Sequence, residues 1–217
     1  MNIAILYRTH TWNNQTSTIF NDILQSSPAY DTFIAYNSDT CKSIPPHTHT
    51  YAYNSDIFIQ RKWKTGHRYK DTALMWFRCD VPIVNFLITH PQYDFAWTID
   101  YDVTYDNWSH FFNYTTPQLH NIDFLSTNNL TPETDPQWEW WPYHTTTNMK
   151  LFAGYFPLVG FSQRACQLLN ILYQIHAGYC EIIVPTLLNH NQLICKNIKE
   201  IYPYITRIQH KYINEFY

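Results

Sequence analysis

The chain holds only four glycines, and none stands in a G-x-x-x-x-G-K-[ST] or G-x-G-x-x-G arrangement, so glycine-rich phosphate cradles are excluded. Its five cysteines, Cys41, Cys79, Cys166, Cys180 and Cys195, are odd in number and lack C-x-x-C spacing. That speaks against a disulfide framework or a zinc knuckle and for reduced thiols in a cytosol-like compartment. No apolar run approaches the roughly 18 residues of a membrane span. The run Asn2–Tyr7, closed by Arg8, is too short for a signal peptide, and the four sequons at Asn14, Asn107, Asn113 and Asn129 then read as chance. Charged residues are scarce at 14%, with a net charge of −3, which offers no attraction to nucleic acid or an anionic membrane. There is no G-x-S-x-G elbow and no cysteine in a catalytic motif. These absences describe a soluble cytoplasmic protein with no nucleic-acid partner and no membrane span.

Aromatic residues are abundant instead, with 18 Tyr, 13 Phe and 8 Trp. Either the source genome favours them, or the protein presents flat rings to a ligand as well as packing a core. The pattern along 217 residues predicts one α/β domain with a mixed, mostly parallel central sheet flanked by helices. Asn2–Tyr7 reads as a buried strand, Thr16–Gln25 as a helix with Ile19, Phe20, Ile23 and Leu24 on one face, and Thr32–Asn37 as a second strand. Asp39–Thr50 reads as loop, Tyr69–Thr89 as a helix broken or kinked at Pro82, and Phe95–Ile99 as a central strand. Ile122–Thr127 and Tyr155–Ser162 are strand-like, Thr131–Asn148 is a long functional loop, and Gln163–His176 is a helix with Cys166, Leu169, Leu172 and Tyr173 inward. A short helix after Pro185 and an amphipathic helix from about Thr206 close the chain.

Chemistry is expected where the strand "FAWTI" runs into Asp100 and Asp102. Ligands of open α/β sheets bind beyond the carboxyl ends of strands, and residues i and i+2 of an extended chain point the same way. Hard carboxylate oxygens suit Mg²⁺ or Mn²⁺, which clamp a diphosphate. The bland alternative is an ordinary polar strand end; Asp106, next to the expected helix start, reads as a cap.

The segments "WTIDYDV" (97–103), "GFSQRACQLL" (160–169) and "GYCEIIVPTLLN" (178–189) together resemble a GT-A nucleotide-sugar glycosyltransferase, and more narrowly the small glycosyltransferase domain encoded by chlorella viruses. The resemblance implies a single GT-A (Rossmann-like) domain in which residues 1–102 bind the nucleotide sugar and 103–217 the acceptor. It implies Mn²⁺ or Mg²⁺ as cofactor, a UDP-sugar as donor, and a glycan or glycoprotein as acceptor, with hexose or deoxyhexose transfer in viral capsid glycoprotein synthesis in the host cytoplasm. Carried over by residue, Asp102 is the main metal ligand. Asp100 touches ribose, donor sugar or a metal-bound water, and His190 is the candidate third ligand, with a solvent-facing histidine as the alternative. Arg8, Thr9 and His10, after the first strand, face the nucleotide, with Asp39 a partner for base or ribose; a solvated turn is the alternative. Lys64, His67, Arg68 and Lys70 either neutralise diphosphate charge or form a solvated basic face. Glu181 is the candidate base or acceptor contact, or else a helix cap or salt-bridge partner. In "DPQWEWWPYH" (135–144), Trp138, Glu139, Trp140 and Trp141 make an acceptor-sugar platform, unless one or two of these Trp pin the loop; Asp135 is a further acceptor contact and Glu139 a second-choice base. Two other classes compete: a non-catalytic carbohydrate-binding protein and a metal-dependent phosphohydrolase.

Overall fold

The computed structural model describes residues 1–41, 43–44, 47, 49–65, 71–143, 148–205 and 209–210. In chain order its elements are β1 (Ile3–Thr9), α1 (Asn14–Ser26), β2 (Asp31–Asn37), β3 (Thr50–Tyr53), α2 (Asp56–Arg61), α3 (Asp71–Phe77), α4 (Val81–Thr89) and β4 (Phe95–Asp100). There follow β5 (Val103–Thr104), α5 (Trp108–Thr115), β6 (Phe124–Ser126), β7 (Leu158–Ser162), α6 (Gln163–Leu172), α7 (Cys180–His190), β8 (Cys195–Asn197), α8 (Ile198–Ile201) and β9 (Gln209–His210). Seven strands form one sheet in the order β3-β2-β1-β4-β7-β6-β8, with β7 alone antiparallel to its neighbours. The mixed, mostly parallel sheet expected from the sequence is therefore the observed one.

Strands β1 and β4 are nearly continuous apolar runs because both of their faces are covered. Side chains alternate between two cores, as a period of two requires. Ala4, Leu6, Ala96, Val159 and Phe161 face a cluster with α4, α6 and α7, where small strand residues let bulky helix residues such as Phe86, Leu169 and Leu187 approach. Ile3, Ile5, Tyr7, Phe95, Trp97, Ile99 and Leu158 face the other cluster, with Ile19, Phe20 and Ile23 of α1 and Trp108, Phe111 and Phe112 of α5. Gly160 of β7 stands opposite Trp97 in register, and a Cβ there would come within 2.6 Å of the Phe95 ring and 3.0 Å of Trp97. Glycine at this position is what lets two large rings lie on the sheet.

Several local expectations change. The helix expected over 69–89 is two helices, and the break falls at residues 78–80, just before Pro82 rather than at it. A buried ion pair sits in the break: Arg78 Nε and Nη2 donate to Asp80 at 3.1 Å each, Arg78 Nη1 donates to Lys64 O at 3.1 Å, and the Tyr173 hydroxyl donates to Asp80. The Arg78 guanidinium also lies 4.3 Å from the centre of the Tyr173 ring. Pro185 stands inside α7, not ahead of it. Helix α5 is capped by the Asn107 side chain, which accepts from His110 N at 3.0 Å, so Asp106 is not the cap. The expected terminal helix is contradicted at Gln209–His210, which pair antiparallel with Val103–Thr104; the remainder of that helix lies outside the described residues. The short elements β3, α2, β8 and α8 carry too few residues for periodicity to announce them. Among the described residues no helix is long and apolar enough to cross a membrane.

Candidate active site

The carboxyl ends of β1, β2 and β4 meet at one edge of the sheet, and Asp100 is the last residue of β4. The chain then leaves the strand in a turn at residues 101–102, so the paired-facing argument for an extended Asp100–Asp102 does not hold. The turn is held from three sides. Asp100 N donates to Pro157 O at 2.9 Å and Tyr101 N to Arg8 O at 3.0 Å. The buried Tyr7 hydroxyl lies 3.0 Å from Tyr101 O and 2.9 Å from Thr16 O. Backbone bonds of this kind leave both carboxylates at the ligand edge on a rigid support.

Register decides what Asp100 does there. Arg8 is its direct partner across the parallel β1–β4 pair, and the guanidinium grips the carboxylate with both forks, Nε to Oδ1 at 2.6 Å and Nη2 to Oδ2 at 2.7 Å. Bidentate geometry of this kind is the strong form of the ion pair. The third guanidinium nitrogen donates to the Cys79 carbonyl, and the Cys79 sulfur lies 3.2 Å from that of Cys180 at the start of α7. His10 stands edge-on to Tyr101 with ring centres 4.6 Å apart. Burial pushes its imidazole below its ordinary value against the pull of Asp100 and Asp102.

Glu181 reaches the same place from the other half of the chain. It is 6% exposed, and its Oε1 accepts from Phe156 N at 3.0 Å. Pro185 has no N–H to give the carbonyl four residues back, and that carbonyl, Glu181 O, accepts from Gly154 N at 2.8 Å instead. Two residues before Gly154, Phe152 N donates to Thr186 Oγ1 of α7 at 3.0 Å. Segment 152–157 is thereby laced to α7 on one side and, through Pro157, to Asp100 on the other. Burial pushes the Glu181 carboxyl up to about 7, with Asp100 adding to the rise, while the Phe156 N–H, the Tyr179 hydroxyl and Arg8 oppose it.

The other expected residues are placed as follows. Thr9 is buried and its hydroxyl is used locally, bonding Thr11 O and accepting from Thr11 N at 3.2 Å. Asp39 is exposed beyond the end of β2, accepting from Ser55 N at 3.2 Å. Lys64 is exposed, with its backbone bonded to Tyr173 and Arg78; His67, Arg68 and Lys70 lie outside the described residues. His190 is at the far end of α7 from Glu181, about 13 Å along the axis at 1.5 Å per residue, with Nε2 3.2 Å from Lys150 O. Trp141 is 9% exposed, and its Nε1 donates to Asp135 O at 2.7 Å, so it pins the loop. Trp138 and Trp140 are half-buried and Glu139 is exposed. Tyr179 and Trp76 were not anticipated: Tyr179 is buried and its hydroxyl bonds Glu181, and Trp76 of α3 stacks on it at 6.0 Å. Their only signal in the sequence is their type, since the contact joins segments a hundred residues apart.

Among the described residues no group of three or more His, Cys, Asp or Glu forms a ready metal shell. Mg²⁺ and Mn²⁺ sites that are completed by substrate phosphates and water ask for only one or two carboxylates. Half-buried Asp102, next to the Arg8-bound Asp100, is a hard-oxygen donor set of that kind and fits such an ion.

No protein-family model matches the chain, and no curated protein matches it in sequence. Solved structures do. A glycosyltransferase involved in the glycosylation of the major capsid of PBCV-1 is 13% identical over 94% of this chain and 89% of its own, with a TM-score of 0.49. A galactosyltransferase, LgtC, solved with donor and acceptor sugar analogues, is 9% identical over 95% and 79%, at 0.42. The 4-diphosphocytidyl-2C-methyl-D-erythritol synthase of Anaerococcus prevotii DSM 20548 is 10% identical over 95% and 99%, at 0.50. The chain shares the fold of the synthase; its similarity to the two glycosyltransferases is of lower score.

Proposed function

We propose that the chain is a metal-dependent glycosyltransferase that moves a hexose or deoxyhexose from a UDP-sugar to a glycan acceptor. The observation that carries this reading is Glu181, a buried carboxyl brought to about 7 at the same sheet edge as Asp100 and Asp102. A general base works best when its pKa is near the working pH, and burial brings Glu181 closer to it than a surface glutamate stands. In this reading residues 1–102 hold the donor, through Arg8, His10 and Asp39 toward the nucleotide and Asp100 toward ribose or sugar. Residues 103–217 hold the acceptor, with Trp138, Glu139 and Trp140 in contact and Trp141 bracing them. Asp102, with Asp100, would hold Mn²⁺ or Mg²⁺, which when bound neutralises diphosphate charge. Glu181 takes the proton of the acceptor hydroxyl, and the Phe156 N–H and Tyr179 hydroxyl that contact its carboxyl keep it oriented. A capsid glycan assembled in the host cytoplasm, implied by the sequence resemblance, belongs to the same proposal.

Calorimetry with UDP, with and without Mn²⁺, tests it. Metal-dependent UDP binding that weakens at least about tenfold in Asp102→Ala, a loss of about 1.4 kcal/mol, is expected. Sugar binding with no UDP response would move the protein to the carbohydrate-binding class. Hydrolysis of simple phosphate esters without nucleotide preference would make it a phosphohydrolase.

A further inference from the structure

The aromatic surface beside Glu181 has a member outside the tryptophan-rich loop. Trp76 is 57% exposed, an uncommon state for the largest apolar side chain. Its ring is nonetheless held: the centre lies 4.9 Å from Phe77, 5.7 Å from Trp140 and 6.0 Å from Tyr179, whose plane is inclined to it by only 25°. Trp140 lies 5.1 Å from Tyr179 and 5.4 Å from Tyr143, and Tyr143 stacks on Phe77 at 6.1 Å. Rings from α3, from the 140–143 turn and from the start of α7 thus fix one another's orientation. Tyr179, buried beneath them, bonds Glu181 through its hydroxyl, so the ring cluster is tied to the candidate base.

We propose that Trp76 and Trp140 form a preset wall on which pyranose rings of an oligosaccharide acceptor stack, with Glu139 accepting bonds from sugar hydroxyls. This rests on the transferase reading and narrows its acceptor to a neutral glycan of two or more units. A pyranose offers an apolar C–H face to a ring, which the wall supplies, and a hydroxyl edge to an acceptor atom, for which the exposed carboxylate next to Trp140 in sequence is the candidate. Rings already held in place lose little freedom on binding. The wall spans more than one indole, which is wider than a single sugar needs. An exposed carboxylate, Glu139, sits between Trp138 and Trp140, accepts hydroxyl donors only and repels anionic ligands.

The test places the full chain, with UDP and Mn²⁺, on an array of defined neutral oligosaccharides and their component monosaccharides, followed by tryptophan-fluorescence titration. Oligosaccharides are expected to bind at least about tenfold more tightly than monosaccharides. Trp76→Ala should weaken them by about tenfold or more, Trp76→Phe should recover most of the loss, and thermal melts should confirm that both variants are folded. Equal affinity in Trp76→Ala, or equal affinity for monosaccharides, would overturn the wall. So would UDP binding by a protein that takes no neutral glycan, and that result would leave the donor half of the transferase reading intact. Trp76-dependent glycan binding without any UDP response would support the wall and overturn the transferase reading.

Discussion

Replacing Glu181 by Gln should stabilise the protein at alkaline pH while disabling it. The carboxyl is 6% exposed, and burial raises it from its ordinary 4.5 to about 7. Between those two values the folded chain keeps a proton that the unfolded chain has released, so stability falls as pH rises through that window. Above about 7 both states are ionised and the loss is complete. A rise of this size, at about 1.4 kcal/mol per pH unit, amounts to about 3 kcal/mol. Glutamine carries no charge to desolvate and escapes the loss, whereas groups away from this site titrate alike in the two proteins and cancel. Urea unfolding without metal or nucleotide should therefore show a gap in favour of Glu181→Gln that widens by about 3 kcal/mol between pH 4.5 and 8. For a chain of this length that corresponds to roughly 2–4 °C in Tm per kcal/mol. In the same variant, glycosyl transfer should fall by about 10²–10⁴-fold with UDP binding retained, and the wild-type rate should rise with pH through about 7 as the base ionises. A gap that stays constant from pH 5 to pH 8 would refute the reasoning, because it would mean that the carboxyl titrates alike in the folded and unfolded chains.

Two further predictions concern the framework. Arg8→Ala leaves the Asp100 carboxylate, 21% exposed, without its bidentate partner and should cost about 3 kcal/mol in urea unfolding; adding Asp100→Asn should recover part of that, and strict additivity would show that the pair is not coupled. Gly160→Ala drives a methyl to within 2.6 Å of the Phe95 ring and should destabilise the sheet by about 1–3 kcal/mol, with UDP binding of the folded fraction unchanged; an unaltered Tm would show that the rings can move aside.

The divide between the legible and the hidden follows the range of the forces involved. The apolar runs Asn2–Tyr7 and Phe95–Ile99 and the order strand, helix, strand are local signals, and they suffice to predict these strands, a mostly parallel sheet and a pair of acids at a strand's ligand end, whereas the split of Ala4 and Leu6 from Ile5 and Tyr7 between two cores shows only in the fold. Pro82 marked a helix boundary to within a few residues, but the break itself belongs to Arg78 and Asp80, whose ion pair is completed by Tyr173, just past the end of α6. Pro185 pointed to the start of a helix and instead lies within one, tolerated because Gly154 supplies the hydrogen bond that the proline withholds.

What the sequence by itself determined is the set of elements with strong periods and the chemistry available at the end of β4. Only the tertiary structure decided that Asp100 is gripped by Arg8, that Glu181 stands beside that pair, and that Trp76 joins Trp140 over Tyr179. Cross-strand register, desolvation of a carboxyl and ring contacts between α3 and a loop some sixty residues later all depend on distances that exist only once the chain is packed.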